Sequence, residues 1–221
     1  MIKILSLIDS SRQPSSLKLQ DGTSRRLILT ILCGVLQFLV ADFSAAEDSA
    51  VKSIVNVDAK SFRCITKMKS VRQFYVNNLL GNLDATLAVA NSPTGGTYPE
   101  GSVIQLVPTE VMVKREKGFS PVTKDWEFFE LDLSKDGTQI RKRGFADVVN
   151  RFGGNCFGCH IQARPQWDFV CELDHGCAPI PITRAMIGAL QRTDPRCNNG
   201  PVSAVDVEAL RQLGVLQHSS R

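Results

Sequence analysis

Asn155-Cys156-Phe157-Gly158-Cys159-His160 is the stretch whose residue types and spacing carry the most chemistry. Cys-x-x-Cys-His is the attachment signature of a c-type haem. Two thiols one helical turn apart add to the two vinyl groups of one porphyrin. The histidine that follows reaches the iron from the same side. On this reading Cys156 and Cys159 hold haem c covalently, one per chain, and His160 is the proximal iron ligand. Other chemistries use the same cysteine spacing. A thioredoxin-like redox pair would want a βαβ context, and none precedes the motif. Half a zinc site would want a second ligand pair; Cys171 and Cys177 lack the spacing and have no neighbouring His pair. A plain disulfide is the third alternative. None of these requires His160, so haem attachment is the expectation, against a disulfide-stabilised exported protein without haem.

The elements around the motif must position it. Composition is that of a globular protein, with 43% hydrophobic and 22% charged residues, and the net charge of +4 is mild. No Lys/Arg block points to nucleic acid. Arg25-Arg26, the apolar run Leu27–Val40, Ser44-Ala45-Ala46 and then Glu47-Asp48 read as the n-region, h-region and cleavage site of a signal peptide over residues 1–46. The run falls short of the ~20 apolar residues that span a bilayer, so no stable span is expected after cleavage. Ser24-Arg25-Arg26 is a weak match to a twin-Arg signal, and the apolar run suits the general export route better. Residues 47–221 are then a single exported domain, periplasmic in location.

Of seven cysteines, Cys33 lies in the h-region and would be removed with it. Cys156 and Cys159 serve the haem. Cys64, Cys171, Cys177 and Cys197 remain, an even number suited to an oxidising compartment. Cys171 and Cys177 flank the turn-like Asp174-His175-Gly176, which favours Cys171–Cys177 and leaves Cys64–Cys197. Free buried thiols are the alternative.

Periodicity gives an α+β class: an antiparallel β-sheet with flanking helices and a late haem-binding helix or loop. Residues 47–91 read as helical, from Val51, Ile54 and Val55, then Val71, Phe74 and Asn78; Gly81 breaks the pattern and Leu83, Leu87 and Ala90 resume it. Pro93-Thr94-Gly95-Gly96 ends that region. Strands follow at 102–107, 110–114, 126–133 and 138–142, with Lys135-Asp136-Gly137 as a hairpin turn. Val111 and Val113 share one face of their strand, Met112 and Lys114 the other. Thr183 caps a helix carrying Met186, Ile187 and Leu190. Ser203 opens a last helix with Val207, Leu210 and Leu213. After the motif, Arg164 could pair with a haem propionate, and Trp167 could pack on the porphyrin or simply in the core.

The helical start, the Tyr98-Pro99-Glu100-Gly101 turn, the strands with Trp126-Glu127-Phe128-Phe129-Glu130-Leu131, and Phe152-Gly153-Gly154 before the haem motif together resemble the cytochrome P460 family over about residues 60–165. The resemblance implies an antiparallel sheet, one c-type haem and, often, a homodimer. It implies redox conversion or binding of a small nitrogen species such as hydroxylamine or nitric oxide, or one-electron transfer with a redox partner protein. Relatives of this kind include hydroxylamine-oxidising oxidoreductases and the non-catalytic, gas-binding β-type cytochromes c′. In the oxidising enzymes a lysine on the strand after the turn is cross-linked to the haem. Val103–Val107 contains none. Lys114, one strand later, is expected to be a solvated strand residue.

The other axial position decides between these activities. The candidates are Met112, His175, His218, Met68, Met186 and Lys114. His218 lies near the chain end and His175 in a turn expected to be solvated. Met68 and Met186 fall on apolar helical faces. Met112 is the most credible, and ordinary sheet packing competes with it. The expectation is a distal side without a strong protein ligand, enclosed by apolar side chains of the sheet.

Overall fold

The computed structural model describes residues 55–219, with side chains through 216. The signal peptide, its cleavage site, Cys33 and the helical spacing of Val51 and Ile54 lie outside the described residues.

Six strands form one antiparallel sheet in sequential order. They are β1 (Lys69–Val71), β2 (Phe74–Asn78), β3 (Ser102–Gln105), β4 (Glu110–Lys114), β5 (Trp126–Ser134) and β6 (Gly137–Gly144). The helices are α1 (Leu83–Ala90), α2 (Cys156–His160), α3 (Arg184–Arg192) and α4 (Ala204–Ser219). This is the expected α+β arrangement of an antiparallel sheet with flanking helices.

The β1–β2, β3–β4 and β5–β6 connections are short, the β4–β5 loop is longer, and the β2–β3 connection carries α1. Lys135 and Asp136 make the β5–β6 turn, as their sequence suggests. The alternation read along β4 also holds, and β5 follows the same two faces. Met112, Trp126 and Phe128 join Val76, Ile104, Phe169 and Val170 in one apolar cluster, with α1 and α2 packed against it. Val111, Val113, Phe129 and Leu131 join Val55, Val57 and Phe62 in a second cluster on the opposite face. Both faces of β5 are therefore covered, which is why Trp126–Leu131 is buried without interruption. Each fully buried large side chain here contributes about 1.5–3 kcal/mol relative to exposure.

The region before α1 corrects the helical reading of 47–91. Lys69–Val71 and Phe74–Asn78 are paired strands, joined through Arg72 in a left-handed conformation (φ 51°). Phe74, Val76 and Asn78 are the inward side chains of a period-2 strand. Val71, Phe74 and Asn78 matched a helical spacing only because the Arg72 turn lies between the first and the other two. The β-rich Phe74-Tyr75-Val76 run is stabilised by partners on both sides, β1 and β3. The helix after Gly81 is as expected.

Towards the C-terminal end, Thr183 Oγ1 accepts from the Met186 N–H and Ser203 Oγ from the Asp206 N–H, so both predicted N-caps are made. Arg192 pairs with Asp206 across α3 and α4. The Cys64–Cys197 and Cys171–Cys177 disulfides are both formed. Beside the first, Asp194 pairs with Arg196 and accepts from the Ile65 N–H at 2.9 Å.

Candidate functional site

α2 is a short helix, and its start is fixed by its own sequence. Asn155 Oδ1 accepts from the Gly158 N–H at 2.6 Å, an N-cap bond, while its Nδ2 donates to the Ala146 carbonyl at 2.8 Å. The Cys156 N–H donates to the Val148 carbonyl at 3.0 Å, so the incoming chain is tied to the helix before it begins. Asn150 holds the preceding Phe152-Gly153-Gly154 loop by accepting from the Phe152 and Gly154 N–H groups.

Among the described residues, Cys156 and Cys159 are the free cysteines, in contrast to the four in disulfides. Cys159 is exposed. Cys156 is half-buried against the first apolar cluster, and burial pushes its thiol up to about 12, with Glu110 and Glu130 adding to the shift. A thiol held protonated is a poor nucleophile at neutral pH, unlike the depressed thiol of a thioredoxin-like pair. Among the described residues, the one cluster of three His, Cys, Asp or Glu ligand atoms is Cys64, Asp194 and Cys197, and its two cysteines are bonded to each other. Cys156 and Cys159 therefore lack the further ligands that half a zinc site requires.

His160 Nδ1 lies 2.6 Å from the Phe169 carbonyl oxygen. Burial lowers its pKa and that hydrogen bond raises it, with burial the larger effect. The ring is thus neutral. Since a carbonyl only accepts, Nδ1 carries the proton and Nε2 keeps its lone pair. This is the tautomer an axial ligand needs. The ring packs on Phe128, centroids 5.3 Å apart, and Phe157 meets Phe169 edge-on at 5.8 Å. The thiols of Cys156 and Cys159 and Nε2 of His160 are the groups that could hold a c-type haem, and as a donor set they fit one.

Met112 is 4% exposed in the apolar cluster that also packs α2, directly across from Phe128 on β5. It shares a sheet face with His160's contact residue, and its surroundings are those of a core methionine. Met68 packs in the cluster on the opposite face, and Met186 is buried in α3. Arg164 is exposed, and its guanidinium donates to the Asp174 carbonyl. The side chain of His218 is outside the described residues.

Two expectations are corrected. His175 is not solvated: it is 8% exposed, stacks on Trp167 with ring centroids 3.8 Å apart, and its Nδ1 meets the Val170 carbonyl at 2.7 Å. Its neighbours Leu173, Asp174 and Gly176 in the same turn are exposed, so the His175 side chain alone turns inward. Lys114 is not a solvated strand residue either: it is 6% exposed. Its Nζ donates to both oxygens of Asp168 (3.0 and 2.8 Å) and to the Lys124 carbonyl (2.7 Å). Burial lowers the Lys114 pKa, opposed mainly by the Asp168 charge.

Phe128, Asp168 and the Phe169 carbonyl are the contributors that sequence reasoning did not single out. The even-numbered alternation Met112-x-Lys114 and Trp126-x-Phe128 was the available signal for Phe128. A backbone carbonyl leaves no signal in residue type.

No family model matches this chain, and neither a curated protein nor a solved structure is matched.

Proposed function

We propose that the chain is an exported monohaem c-type cytochrome of the cytochrome P460 type, and that it binds a small nitrogen species without oxidative turnover, in the manner of a β-type cytochrome c′. The observation that carries the reading is His160: its Nδ1 is engaged by the Phe169 carbonyl, which leaves Nε2 to ligate, and it directly follows a Cys-x-x-Cys whose thiols are free. The two disulfides elsewhere support maturation in an oxidising compartment such as the periplasm.

When bound, haem c supplies an iron able to take up a diatomic gas or pass one electron, tuned by its axial ligand and surroundings. The protein's own contributions are then specific. Cys156 and Cys159 would hold the haem to α2 through thioether bonds. The Phe169 carbonyl orients His160 and increases its electron donation. Phe128 and Met112 offer apolar packing rather than a charged or hydrogen-bonding contact. Lys114 favours the binding reading over hydroxylamine oxidation, because its ammonium is already engaged by Asp168 and the Lys124 carbonyl.

The test is protein matured in a periplasm and extracted with acid–acetone. Haem should stay on the chain, and haem that extracts freely would overturn the reading. Ferrous protein should change its spectrum on addition of nitric oxide and show no turnover with hydroxylamine. A low-spin spectrum unmoved by the gas would favour plain electron transfer, and its disappearance in Met112→Ala would make Met112 the second ligand.

A further inference from the structure

The segment after α2 contains two consecutive residues other than glycine in the left-handed region, Asp168 (φ 48°) and Phe169 (φ 66°). Side chains with a Cβ avoid this conformation, so two in succession persist only where surrounding contacts impose them. Those contacts come from the sheet. Lys114 on β4 and Trp126 on β5 are cross-strand partners. Lys114 Nζ grips the Asp168 carboxylate, and Trp126 Nε1 donates to the Asp168 carbonyl at 2.7 Å. Asp168 Oδ2 also accepts from the Tyr98 N–H at 2.9 Å. Lys114 Nζ sits 4.9 Å from the Trp126 ring centroid, and Lys124 Nζ 4.6 Å from that of Phe169. Asp168 is thus held at side chain and backbone from a rigid element. The next carbonyl in the chain, that of Phe169, is the one that receives His160 Nδ1–H.

We propose that the buried Lys114–Asp168 ion pair, with Trp126, is the positioning device for His160: it imposes the left-handed turn at Asp168-Phe169 and so aims the Phe169 carbonyl at Nδ1. A buried ion pair is a poor source of net stability, since desolvation offsets the attraction. A fully hydrogen-bonded one specifies geometry. Lys114 Nζ has three N–H groups and three acceptors within 3.0 Å. The inference rests on the haem reading, because its consequence is the strength of the iron–His160 bond: loss of the Nδ1 hydrogen bond makes the imidazole a weaker donor.

The experiment uses holoprotein and reads two quantities, the iron–histidine stretching band of the ferrous form and the midpoint potential. Asp168→Asn keeps the shape and loses the charge; Lys114→Met removes the cation. Both should lower the stretching frequency and raise the potential. Lys114→Arg should restore part of both. Trp126→Phe, which removes the Nε1–H donor and trims a buried ring while leaving the ion pair, should move both in the same direction by less, and it remains informative if the charge variants do not fold. Val113→Ala, on the opposite face, is the control for general destabilisation and should lower the melting temperature without moving either reading. Parent protein with covalent haem and variants whose band and potential match it would overturn the positioning role while the haem reading stands. Parent protein without covalent haem would overturn the haem reading, and the positioning role with it.

Discussion

Lys114 and Arg115 are consecutive, both 6% exposed, and pair on opposite faces of the sheet. Lys114 crosses to Asp168, far along the chain in the irregular segment after α2. Arg115 stays local: it pairs with Glu127 on the neighbouring strand, and Glu127 also receives Arg143 from β6 at 2.7 Å. The hydrogen bonding differs as well. Every Lys114 N–H has an acceptor, whereas Arg115 Nε has no hydrogen-bond partner among the described residues and lies 3.7 Å from Glu116. The same buried cost is thus put to two uses. One pair braces strands that are already neighbours. The other fixes a loop whose backbone would not otherwise hold its conformation, and that loop touches His160.

The largest expected effect separates the α2 side from the rest of the molecule. Cys156→Ala with Cys159→Ala should abolish covalent haem, read as loss of the haem stain on a denaturing gel. Removing Cys64–Cys197, which spans 133 residues, should instead cost about 4–5 kcal/mol of stability in chemical denaturation. Haem retention after that removal would show that the two cysteine sets act independently.

Glu127→Ala comes next. It leaves the buried Arg115 with only the more distant Glu116 carboxylate and should cost about 3 kcal/mol, with the midpoint potential unchanged. A shifted potential would show that the two faces are coupled and would erase the contrast drawn between them.

The smallest effect concerns Glu110, across from Glu130 on the α2 side. Burial first and the Glu130 charge second raise its pKa from 4.5 to about 7, with Asn150 and Arg151 opposing. The folded state therefore holds a proton that the unfolded chain has lost between those values. Stability is greatest below about pH 4.5 as far as this group is concerned, and declines as pH rises to about 7. The decline is about 2 kcal/mol at most, given its partial exposure. Glu110→Gln should flatten the stability profile over that window; an unchanged slope would assign the pH dependence elsewhere.

What the sequence made legible follows from how local each signal is. The Cys-x-x-Cys-His motif, the caps at Thr183 and Ser203, the β5–β6 turn and the two faces of β4 each depend on residues a few positions apart. The two disulfides were legible because Cys171 and Cys177 flank a short turn, which leaves Cys64 and Cys197 to each other once the Cys-x-x-Cys pair is set aside. The burial of Lys114 was not, because its partner Asp168 sits behind the intervening strands and α2, and a lone lysine on a strand ordinarily faces water. His175 failed for the same reason: its stacking partner Trp167 belongs to another turn. The β1–β2 hairpin failed differently, since residues on two strands fell by chance into one helical spacing.

The Cys64–Cys197 bridge has a consequence for how the chain responds to cutting. It closes most of the described sequence into a covalent ring, with the exposed Lys135-Asp136 turn about midway round the ring in sequence but close to the bridge in space, where Thr138 Oγ1 donates to the Phe62 carbonyl and accepts from Arg196. A single cleavage there opens the ring without releasing a fragment. The two new ends would lie at a hairpin tip, and β5 and β6 would remain paired along their length. Nicked and intact protein would then have the same mass apart from one added water, and only reduction would separate the halves. The hairpin tip is thus a place where one backbone cut leaves the described domain covalently joined.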